Sequence, residues 1–213
     1  MEFKLDYLFC ILVICLFSTV LHEIAHGAVA YWQGDQTAKL SGRLSLNPLK
    51  HIDPFMSIMM PLILGLMGLP VFGGAKPVPI NTRNLKHGEW SFALVAIAGP
   101  LTNFVLALVF FLIGYYSGAL MNSGFAGTFF SAAVSINVGF LVFNIIPIPP
   151  LDGSRVLYAL APDFVKDLME TIEKYGVFVI YVLILVCGGL FSNYMSTASG
   201  AIIDLFCWIV GAN

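Results

Sequence analysis

Apolar residues run almost unbroken over 7–20 and resume over 27–32, which predicts a first helix at about 5–32. Lipid offers no water to satisfy backbone amides and carbonyls, so a helix is the default for such a run. Further apolar runs predict spans at about 90–117, 125–146, 175–192 and 197–212, the last short and containing Asp204. Residues 55–72 are apolar as well, but Pro61, Gly65, Gly68 and Pro70 interrupt them. Between the first two apolar runs the period changes. Leu40, Leu44 and Leu46 face one way and Lys39, Ser41, Arg43 and Ser45 the other, which predicts a strand over 39–46. A second extended piece, 75–81, contains Pro77 and Pro79 and predicts an edge strand or an extended loop. The expectation is an all-α polytopic membrane protein with five to six transmembrane helices, a re-entrant segment and a small membrane-associated β region.

One interruption in the first run changes the picture. His22, Glu23 and His26 stand inside the apolar helix. Four residues apart on a helix, His22 and His26 share a face, so their imidazoles can converge on one ion. Glu23 is one position along, placed to reach a water beside the metal and act as general base. This HExxH spacing occurs by chance in soluble chains, but ionisable residues inside a span are costly and therefore functional candidates.

Composition agrees with a chain that lives in the bilayer. Of 213 residues, 59% are hydrophobic and 10% charged, with a mean hydropathy of +0.90. The net charge of -2 and the lack of a basic tract give no sign of nucleic-acid binding. Cys10, Cys15, Cys187 and Cys207 lie in apolar stretches without CxxC spacing and read as small buried hydrophobes. Residues 1–20 resemble a secretory signal, but no small-x-small cleavage site precedes His22, so the first span is expected to stay uncleaved. Charge bears on 55–72. If that segment crosses, the loop cations split 7 to 3; if it re-enters, nine share one side and Lys4 alone opposes. The positive-inside rule favours re-entry, with the N-terminus outside.

Zinc chemistry needs a third protein ligand and an open position. Asp152 is the candidate, because Pro147, Pro149 and Pro150 end the span before it and leave unwound backbone at membrane depth. Under the re-entrant topology Asp152 lies on the same side as the end of the HExxH helix. The alternative is an interfacial helix cap, since the residues from Ser154 onward look helical. Asn144 is a candidate for binding substrate or the developing oxyanion, with an interhelical hydrogen bond as its alternative. Ala93, Ala96 and Gly99 give a small packing face, Pro100 marks a kink, and Asn103 braces a neighbouring helix. His51 and His87 read as interfacial, and the charges between Asp163 and Lys174 as the solvated face of a surface helix.

An intramembrane His22-Glu23-Ile24-Ala25-His26, followed far downstream by Asn144-x-x-Pro147-x-Pro149-x-Leu151-Asp152-Gly153, resembles the site-2 protease family of intramembrane zinc metalloproteases. Gly99-Pro100-Leu101-Thr102-Asn103 is similar to a family motif too. The resemblance covers about residues 7–160. It implies one zinc per chain held by His22, His26 and Asp152, with Glu23 activating water and Asn144 assisting substrate or oxyanion. It further implies hydrolysis of a peptide bond in or near a transmembrane helix of a substrate protein, close to the cytosolic side. No PDZ-like or CBS-like module is apparent, so a minimal member is expected: one domain over 1–213, with its core at about 5–160 and C-terminal helices at about 175–212. The expected location is a multi-pass protein of the plasma membrane. A divalent-ion transporter is the rival from another class, disfavoured because the HExxH half and the proline-rich half are not alike. A catalytically silent membrane scaffold is the third reading.

Overall fold

The computed structural model describes residues 5–60, 63, 66 and 75–212, without the side chains of 5–9 and 56–58. Its helices are α1 (Leu5–Trp32), α2 (Thr37–Leu40), α3 (Gly88–Tyr116), α4 (Phe125–Asn144), α5 (Gly153–Leu160), α6 (Asp163–Glu173), α7 (Val177–Val186) and α8 (Gly188–Ile209). Three are long and apolar enough to cross a membrane: α3, α4 and the Cys10–Trp32 part of α1. At 29 residues, α3 is about 43 Å long. It outruns a hydrocarbon core of about 30 Å, which lets its first turn, with Glu89 and Trp90, reach the interface.

α3 is the centre of the bundle, packing against α1, α4 and α5. Small residues make this possible: Ala93, Ala96 and Gly99 are buried, as the expected packing face requires. Ala107 and Phe111 of α3 meet Val134, Val138 and Val142 of α4 and Phe206 of α8. Cys10 and Ile14 of α1 pack on Ala132 and Ala133 of α4. The four cysteines are unpaired thiols, Cys10 buried and the rest half-buried.

Two sequence expectations change. The C-terminal region is not two spans at 175–192 and 197–212. α7 and α8 meet at Cys187 with a 98° bend, so they count at most as one broken span, for a total of three to four. The break falls at Cys187, just before Gly188 and Gly189 open α8, while Ser192, Asn193 and Ser196 continue inside that helix. Small polar residues in a helix can hydrogen-bond to their own backbone, so they interrupt hydropathy without interrupting the helix.

The strand over 39–46 is also absent. Asp35 Oδ1 accepts the N–H and the hydroxyl of Thr37, which starts the turn of α2, and Gly42 at φ 63° ends it in a left-handed conformation. Leu40 and Leu46 are exposed, so the alternation marks no buried face. Residues 75–81 form neither helix nor turn, and no strand forms among the described residues. Most of 55–72, the expected re-entrant segment, lies outside the described residues. Its flanks meet: Lys76 N–H donates to the His51 carbonyl at 2.8 Å. The chain therefore leaves and returns at the same end of the bundle.

Candidate metal centre

α1 carries His22 and His26 on the face turned to α3, both buried. Their ring nitrogens are fixed by partners that leave no choice of tautomer. His26 Nδ1 lies 2.8 Å from the Val95 carbonyl, which can only accept. For His22 the argument runs through three residues. Asn137 Nδ2 donates to the Ala133 carbonyl at 2.9 Å, so its Oδ1 faces Asn103. Asn103 Nδ2 donates to that Oδ1 at 3.0 Å, which leaves Asn103 Oδ1 to accept from His22 Nδ1 at 2.6 Å. Both Nδ1 atoms therefore hold a proton, and in the neutral rings that bind a metal both Nε2 atoms present lone pairs.

Those lone pairs converge with a carboxylate. His22 Nε2 and His26 Nε2 are 3.0 Å apart, and Asp152 Oδ2 lies 3.2 Å from the first and 3.4 Å from the second. Three acceptors this close repel unless a cation sits among them, and Asp152 Oδ2 is buried without a hydrogen-bond donor. Ligands about 2.0–2.1 Å from zinc in a tetrahedron are about 3.3 Å from one another, which matches the three separations. The donor set fits zinc.

Close approach of α3 is what lets the imidazoles lie flat between helices. A Cβ on Gly99 would stand 2.5 Å from His22 Cε1 and from His26 Cε1 and Nε2. Asp152 is delivered by the proline-rich turn after α4. Gly153 passes so near the Ile145 and Ile146 carbonyls that no side chain fits, and Ser154 Oγ closes the turn on the Leu151 carbonyl at 2.6 Å. Asp152 stands at the N-cap position of α5, but its side chain makes no capping hydrogen bond there. An apolar cavity of about 150 Å³ adjoins Asp152, lined by Pro100, Leu101, Phe104, Leu141, Ile145 and Val156 among others.

Among the described residues, His22, His26 and Asp152 form one group whose ligand atoms all lie within 4.8 Å of one another. Family-model comparison then decides the affiliation: the model described as Peptidase family M50 matches residues 9–119 and 112–187. The chain belongs to peptidase family M50. A Bacillus subtilis relative bearing the name "Putative zinc metalloprotease YwhC" is 41% identical over 180 residues, covering 81% of this chain and 78% of its own. The Rip2 protein of Mycolicibacterium smegmatis, named in the same way, is 34% identical over 80% of this chain and 64% of its own. Rip2 of Mycobacterium tuberculosis is 33% identical over 67% of this chain, which spans 53% of that relative. No solved structure matches the chain.

The remaining expected residues are placed as follows in this M50 chain. Glu23 is half-buried and its Oε2 accepts the Val78 N–H at 2.8 Å. Asn144 is not gathered into the metal group; its Nδ2 donates to the Phe140 carbonyl of its own helix at 3.0 Å. His51 is buried rather than interfacial, bonded through Nε2 to the Ser45 carbonyl at 2.9 Å. His87 precedes α3, its N–H on Ser91 Oγ. Sequence reasoning gave Asn103 only a bracing role and did not single out Asn137, Val95 or Val78. An Asn in an apolar span was the available signal for Asn137; backbone groups carry none.

Proposed function

We propose that this M50 member is an intramembrane zinc metalloprotease, in which His22, His26 and Asp152 hold one zinc and Glu23 is the general base. The observation that carries this reading is the convergence of His22 Nε2, His26 Nε2 and Asp152 Oδ2 inside the membrane-spanning part of the bundle, with both Nδ1 atoms engaged by acceptors. Zinc there supplies a Lewis acid and lowers the pKa of water toward 7. Glu23 takes the proton from the attacking water and hands it to the leaving amine nitrogen. Asn144 stands at the end of α4, just before the turn that carries Asp152, where its amide can turn from the Phe140 carbonyl toward a substrate.

The substrate class that fits is a transmembrane helix of another protein, unwound near the cut so that its carbonyl is exposed. Strand addition to 75–81 has little to offer such a segment. The inward amides of Lys76 and Val78 are engaged, and the residues between them and after, Pro77 and Pro79, have no N–H to give. The site lies at the end of the bundle where Lys76 meets the Arg43 loop, Lys86 meets Gln33, and Lys166 meets Glu89. By the positive-inside rule this cation-rich end is cytosolic, and 55–72 is then a re-entrant segment. The location we propose is the plasma membrane.

Metal analysis of the detergent-purified protein tests the reading. About one zinc per chain is expected in the wild type, with loss in Asp152→Ala and His26→Ala. A panel of labelled single-span helices in micelles then screens for cleavage, with Glu23→Gln expected to keep zinc and cut nothing. Zinc that survives Asp152→Ala would remove Asp152 from the site.

A further inference from the structure

Glu23 is held from outside its own helix. Segment 75–80 passes α1 there, and Val78 donates its N–H to Glu23 Oε2 at 2.8 Å. Between Pro77 and Pro79, this is the one amide hydrogen in 77–79. The Val78 side chain is buried and packs over Gly27, one helical turn beyond Glu23, where an added Cβ would come within 3.0 Å of it.

Arg43 sets where this strap lies. Its side chain is only 8% exposed. Nη1 donates to the Lys50 carbonyl, and Nη2 donates to the Lys76 carbonyl and, at 3.1 Å, to the Pro77 carbonyl. One planar guanidinium thus ties the loop at Lys50 to the segment at Lys76 and Pro77, immediately upstream of Val78. The Lys76 N–H on the His51 carbonyl is a second tie in the same place. Burying a cation is costly unless its donors are used; both Nη groups of Arg43 are, while its Nε has no partner among the described residues. A lysine is a compact point donor and cannot span carbonyls of two loops as the guanidinium fork does.

We propose that Arg43 is a positioning residue for Glu23, acting through the Val78 amide. The guanidinium fixes the strap, and the strap fixes one carboxylate oxygen, so that the other is aimed at the water it must deprotonate. This rests on Glu23 being the general base. Glu has several rotatable bonds, and catalytic groups misplaced by about 1 Å lose on the order of 100-fold in rate. The Arg43 contact is thereby worth more to turnover than to the metal.

Two measurements test it. Because 77–79 carries one exchangeable amide, hydrogen exchange of a peptide covering it reads the Val78–Glu23 bond directly. Arg43→Lys and Glu23→Ala should both accelerate that exchange. On the micellar helix that the wild type cuts fastest, Arg43→Lys and Val78→Pro should each lower kcat about 100-fold, with KM and zinc content unchanged. The double variant should be no slower than Val78→Pro alone, because both remove one interaction. Additive losses, unchanged Val78 exchange in Arg43→Lys, or zinc loss in Arg43→Lys would each overturn the positioning role. Cleavage by Glu23→Gln would overturn the general-base reading itself, and that outcome is separate from the other three.

Discussion

Asn103 decides which way His22 faces, although it reaches the metal group only through that ring. An acceptor bonded to the outer nitrogen of a metal-binding imidazole holds its tautomer, and removing one costs about 10–100-fold in metal affinity. Asn103→Ala is therefore expected to weaken zinc binding by about that factor, as read by competition with a chelator, while the helices still pack. Gly99→Ala is expected to be worse. Its Cβ would stand 2.5 Å from both imidazoles, so α3 must withdraw or the rings must turn. Overpacking of this kind costs about 1–3 kcal/mol, and the metal assay should show lost zinc together with a lower melting temperature. The two histidines of the candidate metal group were legible in the sequence, because His22 and His26, with Glu23 between them, break an apolar run at helical spacing. Asn103 was legible only as a brace. The Val95 carbonyl was not legible, since every residue has one.

At the scale of elements, two carboxylates hold the polar end of the molecule together. Arg155 of α5 donates through Nη1 to Glu173 of α6 at 2.7 Å and lies over the Phe92 ring of α3. The hydrogen bond from Arg155 holds the Glu173 carboxyl below its ordinary value, against partial burial that raises it. For Asp35, burial raises the pKa, but bonds from the Thr37 hydroxyl, the Asn81 N–H, the Asn84 amide and the Thr37 N–H outweigh it and leave it lowered. A carboxylate whose folded pKa is depressed adds stability above its unfolded value, 3.8 for Asp35, and that stability is lost as pH falls through the lower folded value. Melting temperature should be level above about pH 5 and drop on further acidification, and Asp35→Asn should be less stable at neutral pH with a shallower acid drop. These same bonds explain why 39–46 misled. Asp35 starts a helical turn and Arg43 points inward to carbonyls, so the alternation of leucines and charges reflects interface contact and a clamp. Period alone does not separate those from a strand.

Across the whole molecule, α8 supports the bundle through its packing on α3 and α4. Phe206 is fully buried, its ring centroid 5.6 Å from that of Phe104 and 5.5 Å from that of Phe111. Phe206→Ala should cost on the order of 3 kcal/mol and lower the melting temperature while zinc stoichiometry stays at one. Loss of zinc in that variant would mean the C-terminal helices shape the site. The first, third and fourth helices were readable because long apolar runs have one solution in lipid. The last two were not, because a pair of glycines and a cluster of serines interrupt hydropathy alike, and only packing decides which of them bends the chain.

The chain of side-chain amides from His22 through Asn103 and Asn137 to the Ala133 carbonyl has a consequence for biogenesis. α1 enters the bilayer first, carrying two imidazoles and a carboxylate whose partners are not yet made. α3 supplies the first acceptors, α4 orients them, and only the turn after α4 brings the last ligand. Synthesis thus reads as a sequence of half-met obligations. A stalled or mispaired chain displays polar groups in lipid, a ready mark for quality control. Metal loading then becomes the final act of assembly, so that proteolytic competence appears only once every helix around the site is in place.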